Sequence, residues 1–128
     1  MITRVHRFHG HVSLPTLYRR ANTARGLLMN VKYASRRADQ PYRLAVVVSR
    51  KVSKSAVVRN KIRRRLYEAV RAQEGQFSGS YDIAIMVYNE SVASLEYDEL
   101  TRQLSDIFVK AGITTTNYRD IVKTTGKY

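Results

Sequence analysis

Cysteine is absent from this 128-residue chain, which removes any disulfide framework and any thiolate metal site. That fits a reducing compartment or simple indifference to redox. Long apolar runs are missing too: none approaches the roughly 18 residues that cross a bilayer. The N-terminal MITRVHRFHG lacks the apolar stretch of a secretory signal, so the expected location is the cytoplasm. Glycine and proline are few, at 6 and 2, and they form no linker. No internal repeat or low-complexity tract is present. A chain of this length reads as one domain, able to bury about two-thirds of its unfolded surface.

Acid is scarce where base is abundant. Residues 1–80 hold 18 Lys or Arg against 3 Asp or Glu, a net +15, whereas residues 81–128 hold 5 against 7, a net −2. The whole carries +13 with a pI near 10.4. Charge this lopsided indicates a polyanion-binding surface in the first two-thirds. Catalytic groups are missing from the same region. A two-metal nuclease needs clustered carboxylates, yet Asp39, Glu68 and Glu74 are scattered over separate elements. A metal-free ribonuclease needs a paired acid and base, and the three histidines, His6, His9 and His11, are bunched at one end. Their spacing invites a zinc reading, but zinc wants three or four ligands on a structured element. An approach to RNA, or no role, is expected of them, with no metal held by the protein alone. No glycine-rich phosphate loop exists. The chain is expected to cleave nothing by itself.

What is present centres on Ser49 to Val70, SRKVSKSAVVRNKIRRRLYEAV, with eight Lys or Arg against Glu68. From Ser55, a good N-cap, the spacing is helical: Val58, Ile62, Leu66, Ala69 and Val70 share one side. Asn60, Arg64, Tyr67 and Arg71 form a stripe opposite, flanked by Arg59 and Arg63. Ordinary surface helices intersperse Glu to make i,i+4 pairs, but Lys51 to Tyr67 contains no acid. Unpaired like charges repel, and polyanionic phosphate would relieve that. A membrane-surface helix would expose bulky apolar residues; this one buries them, so nucleic acid is preferred.

The remaining elements follow from pattern. Ser13 and Pro15 open a short helix through Leu17 and Tyr18 to about Arg20. After Gly26, with room for a short edge strand beside it, Leu27, Met29, Val31 and Tyr33 alternate with Leu28, Asn30 and Lys32 as a strand. Ser35 to Pro41 is a turn. Tyr42 to Ser49 is a strand apolar on both faces, expected in the centre of a sheet. The basic helix is expected to end near Gly75. Tyr81 to Tyr88 is a second buried strand. Ser94 is expected to cap a last helix, with Leu100, Leu104, Ile107, Phe108 and Ala111 on one face, Glu96, Asp98 and Glu99 at its positive end, and Gly112 as its stop. Residues 1–112 then form the single domain, and 113–128 a polar tail with room for one helical turn. The fold class is α/β, a two-layer α-β sandwich of order α-β-β-(β)-α-β-α.

The order Val48-Ser49-Arg50-Lys51, Ala56-Val57-Val58 and Arg59-Asn60-Lys61-Ile62-Arg63-Arg64 resembles the signature of the bacterial ribonuclease P protein subunit. The likeness is close from Leu44 to Val70 and looser toward both ends. It implies a left-handed β-α-β crossover through the basic helix, against the right-handed base rate. It also implies a role for Arg59, Asn60 and Arg64 on a catalytic RNA, helping to arrange metal-bound phosphates. Arg50, Lys51, Lys54, Lys61 and Arg63 complete the expected RNA-binding set. Lys61 stands where the family often has Arg, and Tyr67 where many relatives are basic. The family places two aromatics four residues apart on the N-terminal helix, lining a cleft against the sheet that holds the 5′ leader of precursor tRNA. Leu14 and Tyr18 match those positions, with Lys32 joining them and Tyr33 and Asn30 as weaker candidates. The resemblance further implies Mg²⁺ held mainly by ribonuclease P RNA, no catalytic residue in the chain, and a monomeric protein in a 1:1 ribonucleoprotein acting on precursor tRNA.

Two other readings stay open on the residues themselves. One is a ribosomal or other structural RNA-binding protein. The other is a DNA-binding regulator with the basic helix in a major groove, which expects a short helix ahead of it.

Overall fold

The computed structural model describes Arg19 and residues 21–114. Arg19 is helical and exposed. The strands are β1 (Asn22–Arg25), β2 (Met29–Ser35), β3 (Arg43–Val48) and β4 (Tyr81–Val87); the long helices are α1 (Ala56–Arg71) and α2 (Tyr97–Ala111). They build one sheet of order β1-β2-β4-β3. β1 and β2 are antiparallel, β2 and β4 antiparallel, and β3 and β4 parallel. A parallel neighbour requires a crossover, and α1 supplies it. α1 lies over β3, α2 over β1 and β2, and the helices touch one another, giving the expected two layers.

The bracketed edge strand of the sequence reading is β1. Between it and β2, Gly26 donates its N–H to the Met29 carbonyl at 2.9 Å. A Cβ there would stand 2.3 Å from Ile107 Cδ1 and 2.7 Å from the Met29 oxygen, so no side chain fits. That closure starts β2 at Met29, and Leu27, expected on the core face, is instead 79% exposed in the turn. Met29 and Val31 are buried as expected, and Tyr33, in phase with them, packs against the same core.

Four boundaries or placements differ from expectation, each for a local reason. β3 is an edge strand, and β4 is the strand paired on both sides. Its apolar run reports covered faces rather than paired edges: Leu44, Val46 and Val48 are buried toward the helices, and Ala45 and Val47 are half-buried on the other side. α1 stops at Arg71, short of Gly75. The buried Gln73 turns its Nε2 to the Ala69 carbonyl at 3.1 Å, taking the acceptor of the next helical turn. The chain then tightens into a 3-10 turn, Glu74–Gln76.

Ser94 does not cap α2. It closes a 3-10 turn, Glu90–Ala93, whose cap is Asn89, with Asn89 Oδ1 accepting from the Ser91 N–H at 2.9 Å. α2 starts three residues beyond Ser94 with Glu96 at the N-cap, while Asp98 and Glu99 sit in its first turn as expected. Gly112, at φ 81°, ends α2 in the left-handed region where glycine is favoured. The fourth difference is at the start of the expected tail. Ile113 and Thr114 are buried, and Thr114 bridges to Phe77. The Ile113 carbonyl accepts from the Ser78 N–H at 2.7 Å, which stitches this end of the described chain to the turn after α1.

Candidate nucleic-acid interface

α1 begins where the sequence places it. The Ser55 hydroxyl accepts the Val58 N–H at 3.2 Å, satisfying one of the free donors of the first turn. Ile62, Leu66, Ala69 and Val70 are buried against the sheet, and Val58 packs beside them. Burial of that stripe turns Asn60, Lys61, Arg64 and Arg71 outward, all exposed. The helical phase is as expected. Tyr67 departs from it, being half-buried against the core rather than standing free on the cationic stripe.

The basic turn ahead of α1 is built from its own backbone. Val52 N–H and Ser53 N–H both donate to the Ser49 carbonyl, and Ser53 Oγ accepts the Ser55 N–H at 3.2 Å. Arg59 reaches back from the helix and donates Nη1 to the Ser53 carbonyl at 2.9 Å. Its guanidinium therefore joins turn and helix. Arg50, Lys51 and Lys54 are exposed and line a surface concavity with Ala56 and Arg59. Further along, Arg63 Nη1 donates to Asn60 Oδ1 at 2.8 Å, which occupies the amide oxygen and leaves its NH₂ as the outward donor.

The electrostatics are one-sided. No acid occupies the first turn of α1. Among the described residues, Arg50, Lys51, Lys54, Arg59, Lys61, Arg63 and Arg64 make no ion pair; the ion pairs lie elsewhere, on Asp39, Asp82, Glu99 and Asp106. Of these cations, Lys54 and Arg59 flank the positive end of the helix dipole, where anions are favoured. The structure thus brings Arg50, Lys51, Lys54 and Arg59 together at one concavity, and Asn60, Lys61 and Arg64 follow as exposed positions along α1.

Lys32 is not part of that side. Its register, Thr23 to Lys32 to Ala84 to Ala45, puts it on the sheet face turned away from α1 and α2. There its Nζ donates to Thr23 Oγ1 at 3.2 Å. Asn30 shares that face, but Tyr33 does not, since it is in phase with Met29 and Val31. Small side chains floor the face: Ala34 and Ala84 are buried, with Ala21 and Met86 packed on them. Leu14 and Tyr18, the two residues expected on the N-terminal helix, lie outside the described residues, as do His6, His9 and His11. Among the described residues, no group of three His, Asp or Glu is placed to hold a metal.

Two residues escaped the sequence reading. Arg65 belongs to the basic run but turns inward, donating Nη1 to the Val92 carbonyl at 2.6 Å and Nη2 to the Leu95 carbonyl. It fixes the segment leading to α2. Asp82 is buried on the face away from the helices, where its two oxygens accept from Arg43 Nε at 2.8 Å and Nη2 at 2.9 Å, with Arg36 Nε at 3.4 Å. The hydrogen bond to Asp82 pushes the Arg43 guanidinium above its ordinary range. A lone acid inside the apolar run Tyr81 to Val87 was the available signal, because a buried carboxylate calls for a cation.

A family profile described as Ribonuclease P matches residues 2–112. The chain is 33% identical over 100 residues to the ribonuclease P protein component of Synechocystis, covering 77% of this chain and 78% of that protein. The component from Picosynechococcus is 30% identical over 113 residues, 88% of this chain and 95% of the relative. Among solved structures, the ribonuclease P protein of Staphylococcus aureus superposes with a TM-score of 0.74 at 18% identity, covering 87% of this chain and 99% of the other. That of Thermotoga maritima gives 0.69 at 19% identity, covering 81% and 96%. At those identities the structures speak to the fold alone.

Proposed function

Because the chain belongs to the ribonuclease P protein family, we propose that it binds ribonuclease P RNA through the acid-free face of α1 and the basic turn before it. The chain is a protein component of an endoribonuclease complex that processes tRNA, and it associates with the complex's RNA and its tRNA substrate. Within that frame the RNA would carry the active site and would hold the Mg²⁺, which would supply Lewis-acid chemistry for the hydrolysis. The chain's own residues do different work. Arg59, Arg63, Arg64, Lys61, Arg50, Lys51 and Lys54 neutralise phosphates, and Asn60 offers an oriented amide donor. Crowded RNA phosphates repel one another, and cations fixed against them relieve that cost and position the strands.

The observation that carries this reading is the run of seven cations in the basic turn and α1 with no carboxylate paired to any of them among the described residues. Lys32 and the alanine-floored sheet face beside it are the described part of the surface for the single-stranded 5′ leader of precursor tRNA; Leu14 and Tyr18, which the family resemblance assigns to the same leader, lie outside the described residues. One protein copy joins one RNA, in the cytoplasm. Cleavage of a precursor tRNA, with and without ribonuclease P RNA at low Mg²⁺, tests the assignment. The protein alone should cut nothing, the RNA alone should cut slowly, and the two together should cut fast. Absence of stimulation removes the reading.

A further inference from the structure

The concavity ahead of α1 encloses about 680 Å³, and four of the five residues lining it are cations: Arg50, Lys51, Lys54 and Arg59, with Ala56 between them. No acid lines it, and none of the four makes an ion pair among the described residues. The two kinds of cation differ chemically. A guanidinium stays protonated and grips oxyanions through a planar fork, whereas a lysine amine that has shed its proton is a nucleophile. The hollow therefore sets anion-binding groups beside groups able to react with the anion they hold.

The hollow is also formed in advance. Val52 and Ser53 N–H close on the Ser49 carbonyl, Ser53 Oγ accepts the Ser55 N–H, and Arg59 Nη1 is tied to the Ser53 carbonyl at 2.9 Å. A small dianion meets a turn already folded, so little is lost to ordering. The other described lysines lack this setting. Lys32 Nζ donates to Thr23 Oγ1 at 3.2 Å, and Lys110 Nζ to the Arg25 carbonyl at 3.3 Å. Lys61 stands exposed on α1, outside the concavity.

We propose that Lys51 and Lys54 are acylation sites, modified without a further enzyme by a small acyl phosphate that the concavity captures. Arg50 and Arg59 hold the phosphoryl oxygens. A neighbouring lysine amine, having given one proton to water, attacks the acyl carbonyl carbon. The N–C bond forms and the C–O bond to phosphorus breaks on its carbon side. Phosphate leaves with that electron pair and takes up a second nitrogen proton, and a neutral amide remains. Each event removes one positive charge from the basic turn and so weakens assembly of the free chain with RNA. That consequence rests on the RNA reading above; the capture itself does not.

The test treats the full chain, free and assembled with ribonuclease P RNA, with acetyl phosphate or with the uncharged donor N-hydroxysuccinimidyl acetate. Mass spectrometry of its peptides reads the rate at each lysine. A cleft lined by one sign of charge concentrates small counterions, so acetyl phosphate should modify Lys51 and Lys54 of the free chain at least about tenfold faster than Lys110. The uncharged ester should show no such preference. Inorganic phosphate should slow acetyl phosphate at these two lysines, and so should Arg50→Gln, with the Lys110 rate unmoved. Equal rates at all lysines, the same preference with the uncharged ester, or indifference to phosphate and to Arg50→Gln overturns the site. In the assembled complex both lysines should be protected, and the doubly acetylated chain should bind RNA with a salt slope lower by about two. Selective acetylation of the free chain, with no protection by RNA and an unchanged slope, keeps the site and removes the basic turn from the RNA interface.

Discussion

Arg64 and Arg65 are neighbours in sequence and opposites in role. Arg64 is exposed and makes no ion pair among the described residues, while Arg65 spans the Val92 and Leu95 carbonyls. Arg64→Ala should change stability by less than about 0.5 kcal/mol but lower RNA affinity and reduce the salt slope by about one. Arg65→Met should do the reverse. It strips two carbonyls of their donor, at about 1–3 kcal/mol, with the salt slope nearly unchanged. Urea titrations beside RNA binding at several salt concentrations separate the two, and identical behaviour would refute the division.

Tyr42 supplies a pH signature at the same scale. Burial, and then its hydrogen bond to the Glu74 carboxylate, push its phenol well above the ordinary range. The fold therefore favours the protonated phenol. That contribution is complete below the unfolded value of about 10 and is lost as pH rises above it toward the folded value. One proton corresponds to about 1.4 kcal/mol per pH unit on that alkaline limb. Tyr42→Phe should flatten the limb by that amount; an unchanged slope means Tyr42 ionises as freely folded as unfolded.

At the scale of elements, α1 separates stability from binding along one cylinder. Ile62→Ala should cost about 2–5 kcal/mol, and Ser55→Ala about 0.5–2 kcal/mol through the lost cap, both seen by denaturation. Arg59→Ala should weaken RNA binding more than Lys61→Ala, because it also releases the Ser53 carbonyl that holds the basic turn. Equal losses would mean the turn is held without it.

The phase and cap of α1 were legible because both are local: apolar spacing and a serine suffice. Its end was not, because Gly75 looked the better stop and only the three-dimensional burial of Gln73 shows why the helix tightens sooner. α2 was misplaced at its start for a similar reason, since Asn89 captures Ser91 before Ser94 can cap anything. β3 looked central because sequence reports which faces are covered and is silent on which edges are paired. The cationic residues were readable as a set. The inward turn of Arg65 was not, since its partners are backbone carbonyls 27 and 30 residues away.

At the scale of the molecule, charge is arranged by layer and by segment. From Arg50 to Arg64, the basic turn and α1 carry seven cations that make no ion pair among the described residues, whereas α2 pairs its own charges, Arg102 with Glu99 and Asp106. A polyanion therefore meets an attractive side and a self-neutralised one, which orients the protein before contact. If six to ten phosphates are neutralised, affinity for ribonuclease P RNA should fall by about 10³–10⁵ between roughly 50 and 200 mM salt. The distribution makes a sharper test than the total. Reversing charge on α2, as in Lys110→Glu, should leave the slope of log affinity against log salt unchanged, because Lys110 faces the β1–β2 turn. Replacing Lys51 and Lys54 together by Ala should reduce it by about two, one counterion released per phosphate contact. If the Lys110 variant lowers the slope as much as the double variant does, binding follows net charge alone, and the acid-free face of α1 is no more than part of a basic surface.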